Sequence, residues 1–390
     1  MTDYIAEARS QFDYLRKMRR DFHQHPELGM EEVRTAKVIA AELSALGLKV
    51  QTGVAKTGVV AMVEGARPGK TILLRFDIDA LPIQETTGAV YASVNPGVMH
   101  ACGHDGHAAV GLTVARMLYQ HRSEFAGQFK LIFQPAEEKL NGAKVMVQEG
   151  VLENPKVDLS LAMHLWNDKP VGWLGITPGP FMAAADSFSL TVTGKGGHSA
   201  VPHRSIDPVY ATAQIITAAQ SVISRNIPPM DTCVVSFCTI HAGDAFNIIP
   251  SEVKVLGSLR SFKTEVRALA IERLQQICSQ VGSALGCKAV FEIMESCPAT
   301  VNDPEVTRRV QAVAQRTLPQ LEVDPHAAEM GSEDMSFIQE LVPGCYVFVG
   351  SANAEKGLDA PHHNPKFDFD EEALVYGAGL IAAAGVDLLS

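Results

Sequence analysis

This chain has no apolar stretch long enough to cross a bilayer, which takes about 20 such residues in a helix. Its most apolar segment, 376–389, is rich in Gly and Ala and interrupted by Asp387, so it reads as a buried helix. Basic residues are in deficit, 33 Lys and Arg against 44 Asp and Glu, for a net charge of −11. A nucleic-acid binder normally carries a basic stripe for phosphates, so that class of partner is excluded. Cysteine is sparse. Seven is an odd number, and no dense spacing suggests a disulfide framework. Cys233, Cys238, Cys278, Cys287, Cys297 and Cys345 read as reduced, mostly buried small hydrophobes. Cys233 and Cys238, five apart on one strand, face opposite sides and cannot share a ligand. The first twenty residues carry charges throughout and lack an apolar signal core, so a cytoplasmic protein without a membrane partner is expected.

What is present is ordinary globular material: 390 residues, 46% of them hydrophobic, enough for two domains. Ile5, Ala8, Phe12, Leu15, Met18 and Phe22 recur at helical spacing and predict one amphipathic helix. A second is expected from about Glu31 to Leu46, stopped by Gly47. Strands and helices then alternate through "GVVAMVEG", "TILLRFDID", "HAAVGLTVARMLYQH", "QFKLIF" and "VDLSLAMHL". Near-continuous apolar strands between helices predict an α/β sheet covered on both faces. From Asp186 to Cys297 the order becomes β-α-β-β-α-β, the split, ferredoxin-like arrangement. We therefore expect a first domain of residues 1–184 and 300–390, interrupted by a second of residues 185–299. A helix, the strand "CYVFVG" and a last helix from Glu371 return the chain to the first domain.

The chemistry-bearing residues gather in a few places. His100, His104 and His107 crowd with Cys102 in "HACGHDGH", where Asp105 is a candidate N-cap for the following helix. Thiolate and imidazole suit borderline-soft divalent ions, although capping and surface histidines give an equally good account of this segment alone. Glu137 and Glu138 follow a buried strand in "FQPAEE"; adjacent carboxylates there repel unless a cation or a proton intervenes. His164 follows another apolar strand and, taken singly, reads as a core histidine. His362 and His363 lie in a loop after "CYVFVG". Ligands bind outside the carboxyl ends of strands in open α/β sheets, and most of these residues fall there. Jointly, five candidate ligands with one carboxylate to spare suit two ions and a general base, which is the equipment of metal-assisted hydrolysis.

The ordered set of "RRDFHQHPELGMEE", "FDIDALPIQE", "MHACGHDGHAA", "FQPAEE", "MHLW", "GKGGHSAVPH", "FNIIPSEVKVLGSLRSF", "MGSEDM" and "HNPKFDFDE" resembles the M20 metallopeptidase family over nearly the whole chain. The resemblance is to its amidohydrolase branch of hippurate hydrolases, N-acyl-amino-acid amidohydrolases and plant auxin-conjugate hydrolases. It implies a zinc-peptidase-like catalytic domain with an inserted dimerisation domain, and a homodimer. It matches Cys102, His104, Glu138, His164 and His363 to the ligands of two divalent ions (Zn, Mn, Co or Ni), and Glu137 to the catalytic base. His198 in "GGHSA" matches a histidine that reaches the neighbouring subunit's site and hydrogen-bonds the oxyanion. Asn247 and Arg260 match residues that hold the substrate carboxylate; the competing readings are a turn cap and a surface charge.

The sequence departs from the family pattern in three places. Two histidines precede "NP" where one is usual; His363 is chosen on register, with His362 as competitor. Asp77 stands where distant members place a metal histidine, which fits a site that uses Cys102. Asp79 reads either as an acid supporting a ligand or as a strand-end turn residue. Met335 replaces a common Phe, to no evident effect. The expected activity is hydrolysis of the amide bond of a small N-acyl amino acid. A dipeptidase or carboxypeptidase is the alternative, and a hydrolase using Cys102 as nucleophile a more distant one.

Overall fold

A computed structural model describes residues 2–390. They form two compact units. One comprises the chain up to Phe181 with Val301–Ala328 and Asp334–Ser390; the other comprises Met182–Thr300 with Glu329–Glu333.

The first unit opens with α1 (Tyr4–Ser10), α2 (Phe12–Gln24) and α3 (Val33–Ala45). The single helix expected at the start is two, because Gln11, at φ −99° and ψ 13°, leaves the helical track. The apolar stripe nevertheless runs on, with Tyr4, Ala8, Leu15, Met18 and Phe22 all buried. Next come β1 (Lys49–Val54), β2 (Gly58–Glu64), β3 (Arg67–Asp77), α4 (His104–Gln120), β4 (Ala126–Gln134), α5 (Gly142–Gln148), β5 (Leu159–Pro170) and β6 (Trp173–Gly175). β7 (Gly179–Met182) leads out of this unit.

The second unit contains β8 (Ala184–Thr193), β9 (Gly197–His198), α6 (Pro208–Ser221), β10 (Cys233–His241), β11 (Ile248–Ile249), β12 (Glu252–Ser261), α7 (Thr264–Ala284) and β13 (Lys288–Cys297). β14 (Thr300–Asn302) leads back, and α8 (Pro304–Thr317), β15 (Glu322–Asp324), α9 (Ser336–Gln339), β16 (Gly344–Ala352) and α10 (Glu372–Leu388) complete the first unit.

The first unit is a mixed α/β structure on an eight-stranded sheet in the order β1-β2-β4-β3-β5-β16-β6-β15. Its central strands β4, β3, β5 and β16 are mutually parallel, while β1, β2 and β6 pair antiparallel with their inner neighbours. Eight of the nine residues of β16 and the last six of β4 are buried, as strands covered on both faces must be. Parallel strands present their carboxyl ends along one edge of the sheet, and that edge carries the candidate site. Helices α4 and α10 pack on each other and on the central strands. Glycine makes this approach possible. A Cβ on Gly111 would lie 2.7 Å from the rings of Phe76 and Phe133, and one on Gly377 would lie 2.6 Å from Met163 Sδ. The 376–389 segment is the buried helix its composition suggests.

The second unit has its own core under a four-stranded antiparallel sheet in the order β10-β12-β8-β13. Burial alternates along β12, the period-2 pattern of a sheet covered on one face. Val253, Val255 and Leu259 of β12 join Phe188, Ile215, Leu274 and Cys278 beneath α6 and α7. Within β10, Cys233 is buried but Cys238 is exposed, because it sits where the register with β12 shifts. The expectation that all six of those cysteines are mostly buried fails only there.

Candidate metal centre

The carboxyl ends of β3 and β4, the middle of β5, which runs on past His164 to Pro170, and the loop after β16 deliver the candidate residues to one place. Cys102 and His104 flank Gly103, whose φ of +90° is the left-handed turn that only glycine adopts without strain. Gly103, and not Asp105, occupies the N-cap of α4. Asp105 lies inside the first turn, fully buried, because it has a stronger partner than the helix end. Arg19 Nε donates to it at 2.8 Å, and His23 Nδ1 lies 2.7 Å away. Arg19 Nη2 also donates to Asp368 at 2.7 Å. One buried guanidinium thus joins the neighbour of His104 to a residue five beyond His363.

Hydrogen bonds decide which imidazole nitrogens remain free. His104 Nδ1 faces two acceptors, the backbone oxygen of Asp79 at 3.0 Å and its Oδ1 at 3.2 Å. The proton therefore sits on Nδ1, and the buried Nε2 has no hydrogen-bond partner among the described residues. His164 Nδ1 donates to Leu165 O at 2.6 Å, leaving Nε2 facing Cys102 Sγ at 3.5 Å. His107 is different. Its Nδ1 pairs with Asp77 at 2.5 Å and its Nε2 accepts from Leu165 N at 2.9 Å, so both nitrogens are used. His100 is buried with neither ring nitrogen bonded, yet it joins no group of converging donors among the described residues.

Asp79 also accepts from Glu138 N through Oδ2 at 3.1 Å, so it orients two candidate ligands at once. Of its two readings in the sequence, the acid that supports a ligand is the one its geometry matches. His363 is tied to the Cys102 segment by its backbone N–H, which donates to Ala101 O at 2.8 Å. Its Nε2 lies 3.4 Å from Glu138.

The donors fall into two groups sharing the Cys102 sulfur: Cys102 with His104 and His164, and Cys102 with Glu138 and His363. Within each group the atoms lie within 4.8 Å of one another. Glu137 forms a third group with His104 and Glu138. The backbone is strained here. Ala136, just before the Glu pair, has φ +53°, and His363 has φ +63°. Such left-handed positions cost about 1–3 kcal/mol each and concentrate at functional sites.

Electrostatics show what the donor set lacks. Burial, then Glu138 and Glu137, push the Cys102 thiol well above its usual range. Burial opposes charge on His104, but Asp77, Asp79 and Glu138 overcome it and raise the imidazole to about 10. The pocket therefore carries an excess of buried negative charge, and Glu138 Oε1 has no hydrogen-bond partner among the described residues. A divalent cation would supply the missing counter-charge, and the orphaned His104 Nε2 and Glu138 Oε1 are placed to hold it. One thiol, imidazoles with a nitrogen left unclaimed by hydrogen bonds and a carboxylate are a donor set that fits a borderline-soft ion, whose binding would displace the remaining protons. A raised thiol pKa is the wrong setting for a cysteine nucleophile, which needs a depressed one.

The remaining candidates lie in the second unit. His198 pairs with Ile248 across the β9–β11 ladder, and its Nδ1 accepts from Ala200 N at 3.1 Å. Ser199 N donates to Asn247 O at 3.1 Å, so His198 and Asn247 share one exposed corner. Arg260 is not with them. It lies near the far end of β12, where Nη1 donates to Ser332 Oγ at 2.7 Å. Eight residues of strand after Glu252 amount to roughly 25 Å. Sequence reasoning missed the Arg19–Asp105–Asp368 anchor. Its one signal is a charged residue within the apolar stripe of α2, between Leu15 and Phe22.

Residues 73–385 match the model of peptidase family M20/M25/M40. The chain is similar to thermostable carboxypeptidase 1 of Saccharolobus solfataricus, 39% identical over 94% of this chain and 93% of the relative. It is equally similar to N-acetylcysteine deacetylase of Bacillus subtilis, 39% identical over 95% of this chain and 96% of the relative. Among solved structures, the Bacillus subtilis YXEP protein, described as a dinuclear metal binding peptidase from the M20 family, aligns with a TM-score of 0.86. It is 34% identical, over 98% of this chain and 99% of that one. With the family matched over most of its length and the donor set in place, this chain belongs to peptidase family M20/M25/M40 and is a hydrolytic enzyme.

Proposed function

We propose that the protein hydrolyses the amide bond of N-acyl amino acids at a two-metal site. The observation that carries this reading is the pair of donor groups sharing Cys102, beside a carboxylate that neither group needs. Cys102, His104 and His164 would hold one ion, and Cys102, Glu138 and His363 the other. Bound ions of this kind polarise the scissile carbonyl and lower the pKa of water. Glu137, adjacent to the ligand Glu138 and nearly buried, takes the proton from the attacking water and delivers one to the leaving nitrogen. The deacetylase relative favours an N-acyl substrate. The carboxypeptidase relative keeps peptidase action on a free C-terminal residue as the second reading.

We read the second unit, with its β-α-β-β-α-β order, as a ferredoxin-like dimerisation domain. Two features support this. Val234 and Ile240 are exposed along the edge strand β10, and Phe246 stands fully exposed nearby. Furthermore, His198 and Asn247 lie at the opposite end of β12 from Arg260. Serving one site together requires residues from two copies, and a C₂ pair supplies them reciprocally. His198 then donates to the developing oxyanion, while Asn247 and Arg260 hold the substrate carboxylate.

The test is to strip metal and reconstitute separately with Zn, Mn, Co and Ni. Each form is assayed on acetyl and benzoyl amino acids and on dipeptides. Activity restored by metal and highest on the N-acyl series is expected. Higher activity on dipeptides selects the second reading, and full activity in the metal-free protein overturns both.

A further inference from the structure

His362 sits beside a candidate ligand but belongs to neither donor group. Its Nε2 accepts a hydrogen bond from the backbone N–H of Asn167 at 3.0 Å. A neutral imidazole has one N–H, so an accepting Nε2 puts the proton on Nδ1. That Nδ1 lies 3.7 Å from Cys102 Sγ. A protonated nitrogen has no lone pair for a cation. It has a hydrogen for a sulfur.

We propose that His362 is a positioning residue that donates a hydrogen bond to the Cys102 thiolate and so limits the charge this sulfur would give to a bound cation. The inference rests on the reading of Cys102 as a ligand. Partners beyond the coordinating atoms orient ligands and tune the metal, usually by accepting from a ligating histidine. Here the tuned ligand is the thiolate, and the histidine is the donor. Withdrawing charge from sulfur leaves a bound cation more electrophilic.

The surroundings fix this geometry. The ring lies against Trp166 with centroids 5.0 Å apart and against Phe367 at 5.1 Å, and it meets the His164 ring edge-on at 5.3 Å. Asn167, which sets the tautomer, is itself clamped. Its Nδ2 donates to Ala360 O at 2.8 Å and to Asp368 O at 3.0 Å, and its Oδ1 accepts from Ser351 Oγ at 2.9 Å. Those two carbonyls flank the His362–His363 loop, so one asparagine positions the loop and its backbone sets the proton. The doubled histidine thereby acquires two distinct functions: His363 faces Glu138, and His362 faces the sulfur.

Cobalt(II) substitution tests the inference, because a cobalt–thiolate bond gives a charge-transfer absorption whose energy follows the charge on sulfur. His362→Phe keeps an aromatic ring in the stack but has no donor. The band should move to lower energy with cobalt content intact at saturation. His362→Gln retains an N–H donor and should recover part of the shift. An unmoved band in the Phe variant overturns the inference and leaves the proposed function standing. Loss of one cobalt ion from that variant would make His362 a ligand and also overturns it. If wild-type enzyme shows no thiolate band, Cys102 leaves the ligand set, and the parent reading fails with the inference. A measurement without variants covers a Phe protein that does not fold. In zinc-loaded wild type, ¹⁵N spectra of the assigned His362 ring should show Nδ1 protonated, and a protonated Nε2 refutes the proposal.

Discussion

The ligand pocket of the first unit and the His198–Asn247 corner of the second are built in opposite ways. In the pocket, His104, Glu137 and His164 are buried, and His104, His164 and Glu138 each have an identified orienting bond to Asp79 or to backbone. At the corner, both residues are exposed, and the bonds that define it are short-range turns and a two-residue ladder. The first arrangement is preorganised and expensive: buried charge and strained backbone persist only where the surroundings over-determine them. The second costs the isolated chain almost nothing, and in the proposed dimer it would gain its function only when a second copy docks against it.

This contrast can be broken experimentally. The largest expected effect is at Glu137. Glu137→Gln should lower kcat about 10²–10⁴-fold while metal content and melting temperature stay unchanged. Near-normal turnover would assign the base elsewhere. His198→Ala should cost about 10²–10³-fold, the usual loss for an oxyanion donor, again without loss of metal. The contrast sharpens when these two inactive proteins are mixed. After subunit exchange, one site per heterodimer lacks both groups and the other has both, so activity should return. Exchange confirmed by mass without recovery would show that His198 does not act in trans.

A smaller effect is expected one layer out. Asp79→Ala frees the His104 tautomer and leaves Glu138 N unpaired, so metal affinity should fall about 10- to 100-fold, read by titration with a competing chelator. His198→Ala should leave the same titration unchanged. An equal drop in both proteins would erase the distinction drawn between the two regions. Metal removal should have the most local effect: faster hydrogen exchange around residues 101–104, 136–138 and 362–363, with 197–199 and 247–249 unaffected. Equal loosening of both sets would mean that metal organises the second unit as well.

Much of the framework is legible in the residues because its causes are local. The apolar runs of β3, β4 and β16 mark strands buried on both faces, and the alternation along β12 marks a sheet covered on one. Gly47 stops α3 at a φ of +84°, a conformation that the residue type announces. Other features were not legible. Gln11 does not look like a helix break, and only the backbone shows that α1 and α2 are separate. Asp105 looked like a cap because Asp near a helix start usually is one. The arginine that buries it instead lies 86 residues earlier.

The sequence by itself determined the inventory: one thiol, a set of imidazoles and paired carboxylates, most of them at the end of an apolar strand or in the loop that follows, although His164 lies within β5. Residue type and period-2 or period-3.6 burial need no distant partner to be read. Tertiary structure decided which of those atoms are free to bind. His104 and His107 stand three residues apart in one motif and are chemically alike. One keeps Nε2 unclaimed because Asp79 accepts the hydrogen bond from its Nδ1–H, while the other spends both nitrogens on Asp77 and the backbone of Leu165. His362 and His363 differ in the same way: the backbone N–H of Asn167, nearly 200 residues earlier in the chain, donates to His362 Nε2, while His363 Nε2 faces Glu138. A histidine's role depends on the hydrogen-bond partner of its second nitrogen, and here that partner comes from another strand or loop, which only folding brings into contact.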